Sequence, residues 1–464
     1  MVINRRYKQY GYTVLTCFES IAGLHDAAPH TSLAIKAMAK HFHRLKNFAV
    51  VPDNRRGGES LSFQALQTQQ SLWRHQRGLP ENSVAPGQNC TMKVDGCGSV
   101  AATGLQCDTC DELPPRCTRI RPFDPKIKGW NLPFNRYSWL TTHNSFSMAE
   151  KKSHTGVRMV TAYNQQDTIT QQLNNGVRGL MLDLYDFRND IWLCHSFNGI
   201  CQNFTAFQPA INVFKEIARF LRSNSYEVVT VFIEDYVKIP RGLTKLFESS
   251  EVTEFLYPLY LIPKKTAPWP KLSTMIKKNH RLIVFTSNPE KEKSEEIAYQ
   301  WKYVVETEYG DKGMPVGSCS NRKESLAMNM TKQRLVVFNY FANVPNFFLV
   351  CHQNSLPLIQ KMETCVSITY RKWPNFIAVD FYKKSDGNGA PHAVDVANGH
   401  LMCGCNDVAR CKFRGMRHDC LPPPESDYDG APKPSSSTVS DQNRMKWLSL
   451  IRIGLYTSTL LLLL

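Results

Sequence analysis

The feature that most constrains the fold is a repeated alternation of apolar strands and helix-length connections between residues 132 and 382. The strand patterns are VRGLMLDL (177–184), EVVTVFIED (227–235), RLIVFTS (281–287), KYVVETE (302–308), RLVVFNY (334–340) and NFIAVDFY (375–382), preceded by the apolar stretch 137–140. Such strands, rich in β-branched residues, predict a parallel sheet covered by helices. Roughly seven or eight of them over about 250 residues favour a closed TIM-type (β/α) barrel over an open sheet.

Two of the connections carry helical patterns. Residues 167–174 predict a short amphipathic helix, and residues 206–222 predict a longer one. In the second, Ile211, Phe214 and Leu221 recur at the spacing of one helix face.

Polar residues follow the strands where each strand ends. They are His143 and Asn144, then Asp183 and Asp186, then His195, then Glu234 and Asp235, and finally Asp380. A single carboxylate at a strand end is more often a solvated loop residue or a helix cap than part of a functional site. Because the carboxyl ends of barrel strands meet at one rim, two histidines and several carboxylates at these positions predict a single functional site.

Cysteine usage indicates an oxidising compartment. Of 15 cysteines, 14 lie between Cys90 and Cys420, mostly in clusters before and after the barrel region. This distribution predicts disulfides. The alternative is a zinc site, prompted by Cys107-x-x-Cys110, but neither a second pair nor a nearby histidine completes it. Glycosylation sequons at Asn89, Asn203 and Asn329 agree with export.

The two ends of the chain differ in character. Small residues Ser435, Ser436 and Ser437, a polar spacer and a terminal apolar tail match a glycosylphosphatidylinositol attachment signal. The alternative, a tail-anchored transmembrane helix, is marginal because Arg452 interrupts the apolar tail. The N-terminal stretch lacks a clear signal peptide. It is either disordered or a mis-assembled gene start that replaces the true signal.

These observations divide the chain into five parts. Residues 1–87 are unassigned, 88–122 form a cysteine-rich lead-in, and 123–390 form the barrel. Residues 391–425 form a second cysteine-rich segment, and 426–464 are a linker with the attachment signal. The net charge of +16 is diffuse and accompanies no nucleic-acid-binding motif. We therefore expect a phospholipid surface, and no nucleic acid, as the partner. We also expect the protein to be a monomer.

Four motifs resemble a known family when they are taken in order. TTHNS, GVRGLMLDLYD, WLCHSF and VVTVFIEDY are similar to the X domain of phosphatidylinositol-specific phospholipases C. The similarity extends over residues 88–425 and is strongest to plant phospholipase-C-like phosphodiesterases that consist of an X domain alone. It implies cleavage of a phosphodiester by attack of the inositol 2-hydroxyl on phosphorus.

The resemblance also implies roles for individual residues. His143 matches the general base and His195 the general acid. Asp380 would orient His143. Arg178, in the Gly-x-Arg motif, would contact the phosphate or brace the carboxylates at the rim.

The resemblance leaves calcium open as a cofactor. Asn144, Asp183 and Glu234 match three of the four ligand positions of the calcium-dependent branch, whereas the fourth position is Met181. A thioether does not bind a hard cation, so calcium would be held weakly, with Asp186 as a substitute ligand, or not at all. The metal-independent branch has an arginine where Asp183 stands, and this chain therefore fits neither branch.

Three functions remain in competition. The first is a membrane-anchored phosphoric diester hydrolase of phospholipase C type that acts on phosphatidylinositol-like lipids. The second is a non-catalytic cell-surface protein that binds lipid or inositol phosphate on a degenerate barrel. The third is a glycerophosphodiester phosphodiesterase, which is disfavoured because Asn144 follows His143 where that family typically places acids.

Overall fold

The computed structural model describes residues 84–91, 97–98, 104–111, 113–148, 152–263, 267–369, 372–412 and 420–422. Residues 1–83 and the predicted attachment signal with Ser435, Ser436 and Ser437 lie outside the described residues. In the described residues no helix is long and apolar enough to cross a membrane.

The strands are β1 (Leu105–Asp108), β2 (Arg116–Arg119), β3 (Trp139–Thr142), β4 (Val177–Phe187), β5 (Asp190–Cys194), β6 (Ala206–Pro209), β7 (Val229–Tyr236), β8 (Leu282–Thr286), β9 (Ala298–Tyr299), β10 (Val304–Glu306), β11 (Leu335–Tyr340) and β12 (Phe376–Val379). The α-helices are α1 (Lys126–Gly129), α2 (Ile169–Asn174), α3 (Ala210–Ser223), α4 (Gly242–Ser249), α5 (Leu272–Lys277), α6 (Glu290–Ser294), α7 (Gln300–Tyr303), α8 (Gly310–Gly313), α9 (Val350–Gln353), α10 (Leu356–Ile368) and α11 (Gly389–Met402).

Eight parallel strands follow one another around a TIM-type barrel in chain order. The pairing runs β10-β11-β12-β3-β4-β7-β8-β9. Within the described part of the chain, no strand pairing joins β9 to β10, so the barrel has one open seam. The antiparallel strands β5 and β6 extend the sheet outward from β4. The predicted fold class is confirmed. Strand β9 was not predicted because it has only two residues.

The strand pleat separates two packing faces. Leu180, Leu182 and Leu184 of β4 belong to the core beneath the helices, whereas Met181 faces inward with Phe232 of β7. Alternate side chains point to opposite faces, so the next inward residue on β4 is Asp183. The same periodicity that builds the core therefore carries polar side chains to the carboxyl-end mouth of the barrel.

The helix starts differ from the sequence-based expectation. Helix α2 begins at Ile169 rather than at 167 because Thr168 caps it, accepting a hydrogen bond from Gln171 N in a capping box. Helix α3 begins at Ala210 rather than at 206, because residues 206–209 pair with β5 as a strand. Neither β5 nor β6 was predicted. The apolar run IWLC in β5 is too short to distinguish a buried strand from a buried helix.

Seven disulfides pair all 14 cysteines between Cys90 and Cys420. Cys107 bonds to Cys90 and Cys110 bonds to Cys351, so the zinc alternative is wrong. The bonds are not confined to the ends of the barrel. Cys194–Cys201 and Cys319–Cys365 fix loops of the barrel itself.

The lead-in and the C-terminal segment pack onto the barrel as one body. The hairpin β1–β2 is joined to helix α11 by a fully buried ion pair between Arg119 and Asp395. Helix α11 runs across the boundary that was predicted between residues 390 and 391. Cys403, Cys405 and Cys411 of the C-terminal segment belong to the hydrophobic core inside the barrel, whereas the lead-in has a small core of its own.

Candidate active site

A cavity of about 140 Å³ opens at the carboxyl ends of the barrel strands. Its lining residues are His143, Asn144, Met181, Asp183, Phe232, Glu234, Gln300, Glu306, Tyr309, Arg322, Asn339 and Phe341. The lining combines apolar side chains with titratable groups. Pockets of this kind are the usual location of a site in a TIM-type barrel.

His143 is held firmly just after the end of β3. Its Nδ1 lies 2.9 Å from Asp380 Oδ1, and Asn164 Nδ2 donates to the same carboxylate oxygen at 2.9 Å. The ring of Phe341 stacks on the imidazole at 3.6 Å. Because Nδ1 donates to Asp380, Nε2 is left as the proton acceptor, and the side chain is 21% exposed at the cavity. This arrangement can support a general base.

His195 follows β5 directly and is partly buried, with its Nε2 atom shielded from solvent. Its Nδ1 lies 2.9 Å from Thr161 Oγ1, and the rings of Phe146 and Phe207 contact it edge-on. Burial, with a smaller contribution from the charge of nearby His143, lowers the pKa of His195 to about 3. His195 is therefore neutral at pH 7 in the free protein.

This lowered pKa predicts a loss of stability in acid. The unfolded chain binds a proton on His195 at the usual pKa near 6.5, whereas the folded protein binds it only near pH 3. Stability that is complete above about pH 6.5 is thus lost as the pH falls toward 3, by about 1 kcal/mol per pH unit. The free energy of unfolding, measured by denaturant titration at pH 7, 6, 5 and 4, should fall less steeply with decreasing pH in His195→Gln than in the wild type. The exposed His154→Gln is the control, and an unchanged slope in His195→Gln would contradict the lowered pKa.

Asp183 and Glu234 are direct partners across the β4–β7 register, so both face the cavity. Burial and the neighbouring Glu234 raise the pKa of Asp183 well above its usual value, against the opposing effect of Arg322. Asn144 also lines the cavity, in a left-handed conformation with φ of 41° that asparagine tolerates. The structure brings together the three predicted oxygen ligands, with Met181 beside them.

Sequence reasoning missed the residues contributed by the far side of the barrel. Glu306, at the end of β10, accepts hydrogen bonds from Gln300 Nε2, Trp301 Nε1 and Asn339 Nδ2 at 2.7–2.9 Å. Arg322, from the loop before β11, donates through Nη2 to Glu234 Oε1 at 2.8 Å. Glu306 and Asn339 end predicted strands, so the strand-end rule would have found them. Arg322 lies in a loop and carries no such signal.

Two predicted residues lie elsewhere. Arg178 stands at the beginning of β4, where its Nε donates to Glu227 Oε2 at 2.9 Å, so its assignment to the substrate site is wrong. The amino end of a strand is at the opposite face of the barrel from the mouth. Asp186 accepts a hydrogen bond from Lys238 N at 2.7 Å and does not line the cavity. It is therefore not a substitute ligand.

The fold and the mouth together define a barrel of the phosphatidylinositol-specific phospholipase C kind. The family model described as PI-PLC X 1 matches residues 136–395. A PI-PLC X domain-containing protein of Arabidopsis thaliana is 46% identical over 336 residues, 71% of this chain and 79% of that protein. The chain belongs to the PI-PLC X domain family.

Two further comparisons are more distant. An uncharacterized secreted protein of Arthroderma benhamiae is 27% identical over 254 residues, 49% of this chain and 54% of that protein. The phosphatidylinositol-specific phospholipase C of Listeria monocytogenes aligns with a TM-score of 0.37 and 13% identity, over 58% of this chain and 94% of that chain. Separately, residues 2–50 match a family model described as POX, Associated with HOX.

Proposed function

We propose that the protein is a phosphoric diester hydrolase of phospholipase C type that acts on phosphatidylinositol-like lipids. The observation that carries the proposal is the His143–Asp380 pair, with an acceptor nitrogen at the cavity. His195 does not line this cavity, but it is near enough that, in addition to burial, the charge of His143 lowers its pKa. An oriented histidine base and a second histidine near the same phosphodiester match the needs of intramolecular attack by a hydroxyl.

The proposed step is an intramolecular displacement at phosphorus. The inositol 2-hydroxyl oxygen bonds to phosphorus while its proton passes to Nε2 of His143. The phosphorus–oxygen bond to diacylglycerol breaks while His195 gives a proton to the departing oxygen. Because His195 is neutral in the free protein, it would take up this proton when the anionic phosphodiester binds and raises its pKa.

The loops at the mouth support a lipid substrate. Exposed apolar residues occur in the loops that surround the site: Val157, Val160, Phe197, Ile200, Val344 and Phe348. The first two of these loops are joined by the hydrogen bond from Val160 N to Phe204 O, at 2.8 Å. Exposed Arg158, in the loop after β3, and exposed Lys312, in the short helix α8, lie at the same end. Apolar side chains among cations are suited to the surface of an anionic bilayer.

We further propose that the protein works on the outer cell surface, attached through the signal at Ser435, Ser436 or Ser437. The seven disulfides support an oxidising compartment. The sequon residues Asn203 and Asn329 are exposed, as glycosylation requires. Release of the protein from cells by an enzyme that cleaves glycosylphosphatidylinositol anchors tests the attachment, and retention after treatment would contradict it.

The test of activity is the release of diacylglycerol from phosphatidylinositol vesicles by the full-length protein. We expect turnover by the wild type and by His154→Ala, which changes an exposed histidine of a mouth loop. We expect turnover to fall to background in His143→Ala. If the wild type and His143→Ala are equally inert but still bind vesicles, the catalytic proposal fails in favour of a lipid-binding surface protein.

A further inference from the structure

Three carboxylates and one guanidinium share the cavity beside His143. Asp183 and Glu234 approach from β4 and β7, Glu306 approaches from β10, and Arg322 lies among them. Arg322 Nη2 is 2.8 Å from Glu234 Oε1, and Nη1 is 3.6 Å from Glu306 Oε1. A positive charge of the protein itself therefore occupies the acid cluster.

Arg322 is fixed in this position by several contacts. Its guanidinium lies over the rings of Trp301 and Tyr309, 5.1 and 4.8 Å from their centroids. Its Nε is 3.1 Å from Glu324 Oε2, and the side chain is only 15% exposed. Although burial opposes it, the carboxylates of Glu306 and Glu234 raise the pKa of Arg322 above its usual value. The charge is permanent.

The loop that carries Arg322 is equally well anchored. Arg322 N donates to Glu306 O at 3.0 Å, and Glu308 N donates to Ser320 O at 2.8 Å. The disulfide Cys319–Cys365 ties the loop to α10 only three residues before Arg322. A cation held by backbone, disulfide and ring contacts is preorganised, which is the property that electrostatic stabilisation of a reaction requires.

The cluster fits a divalent cation poorly. Calcium takes six to eight oxygen ligands, and here Met181 removes one candidate ligand. Glu234 is engaged by Arg322, and the carboxylate oxygens of Glu306 already accept bonds from Gln300, Trp301 and Asn339. A metal ion would also be repelled by the guanidinium among its ligands.

We propose that Arg322 is the cation of this site, binding the phosphoryl oxygens of the substrate in place of a divalent metal. The inference rests on the proposed function, because it assigns the charge that the phosphodiester would meet. Guanidinium binds phosphate through two parallel N–H donors. Glu234, whose side chain is 38% exposed, is the partner that an incoming phosphate displaces, while Glu306 and Glu324 keep Arg322 in place.

Binding of inositol 1-phosphate to the full-length protein, measured by calorimetry, tests this without requiring turnover. We expect equal affinity in calcium and in chelator for the wild type, and no heat of binding from millimolar calcium alone. Arg322→Met should lower the affinity for inositol 1-phosphate at least tenfold. Lys323→Met, which removes the exposed neighbouring cation, should stay within twofold of the wild type.

The readouts separate this inference from the proposed function. Binding that depends on Arg322 but not on calcium upholds the inference even if no diacylglycerol is released, and in that case only the catalytic proposal fails. Binding that requires calcium, or no binding of inositol 1-phosphate by the wild type, overturns the inference. Because the calcium comparison uses the wild type, it is decisive even if Arg322→Met does not fold.

Discussion

His195→Gln is expected to lower kcat for phosphatidylinositol about 10²–10⁴-fold, the usual contribution of a positioned acid or base. Diacylglycerol departs as an alkoxide unless a proton reaches its oxygen. His195 supplies that proton in the proposed step, and glutamine keeps a similar size but cannot ionise. The rate is measured as diacylglycerol release at saturating vesicle concentration.

The leaving group distinguishes the roles of the two histidines. A substrate with a p-nitrophenolate leaving group in place of diacylglycerol needs little protonation. His195→Gln should therefore cleave it nearly as fast as the wild type, whereas His143→Gln should be slow on both substrates. His154→Gln is the control that should affect neither. Equal losses on both substrates in His195→Gln would rule out its role as the acid.

The sequence predicted the parts of the site that depend on strand periodicity. Asp183 and Glu234 were found because inward positions of parallel strands alternate with core positions, and the register makes them neighbours. His143 was found because it follows β3 at the same end of the barrel. These positions need only a strand and its direction, and both are local properties of the sequence.

The remaining parts depend on contacts distant in the chain. Arg322 reaches the cavity from a loop whose path is set by Cys319–Cys365 and by hydrogen bonds to residues near β10, and pairings of cysteines cannot be read from spacing. Arg178 was misplaced for a related reason. A motif match placed it among functional residues, although its location at the start of β4 puts it at the other face.

The largest effect on stability is expected from the buried ion pair that joins the lead-in to helix α11. The side chains of Arg119 and Asp395 are 2% and 0% exposed, and Asp395 Oδ1 also accepts from Phe123 N at 2.9 Å. Arg119→Met would leave a buried carboxylate without its counter-charge, which costs about 3–5 kcal/mol. Denaturant unfolding at pH 8 measures this, with the exposed Arg222→Met as a control that should change nothing measurable.

A second substitution separates the cost of the unpaired charge from the cost of lost packing. Arg119→Met with Asp395→Leu replaces both charges by apolar groups of similar size, so it should recover part of the lost free energy of unfolding, although Phe123 N then loses its acceptor. Arg119→Met alone should be least harmful in acid. Burial raises the pKa of Asp395, and without Arg119 the carboxyl would take up a proton more readily, so the difference from the wild type should shrink between pH 8 and pH 5. A double variant less stable than Arg119→Met would show that the cost arises from packing and from the hydrogen bond of Phe123 N rather than from an unpaired charge.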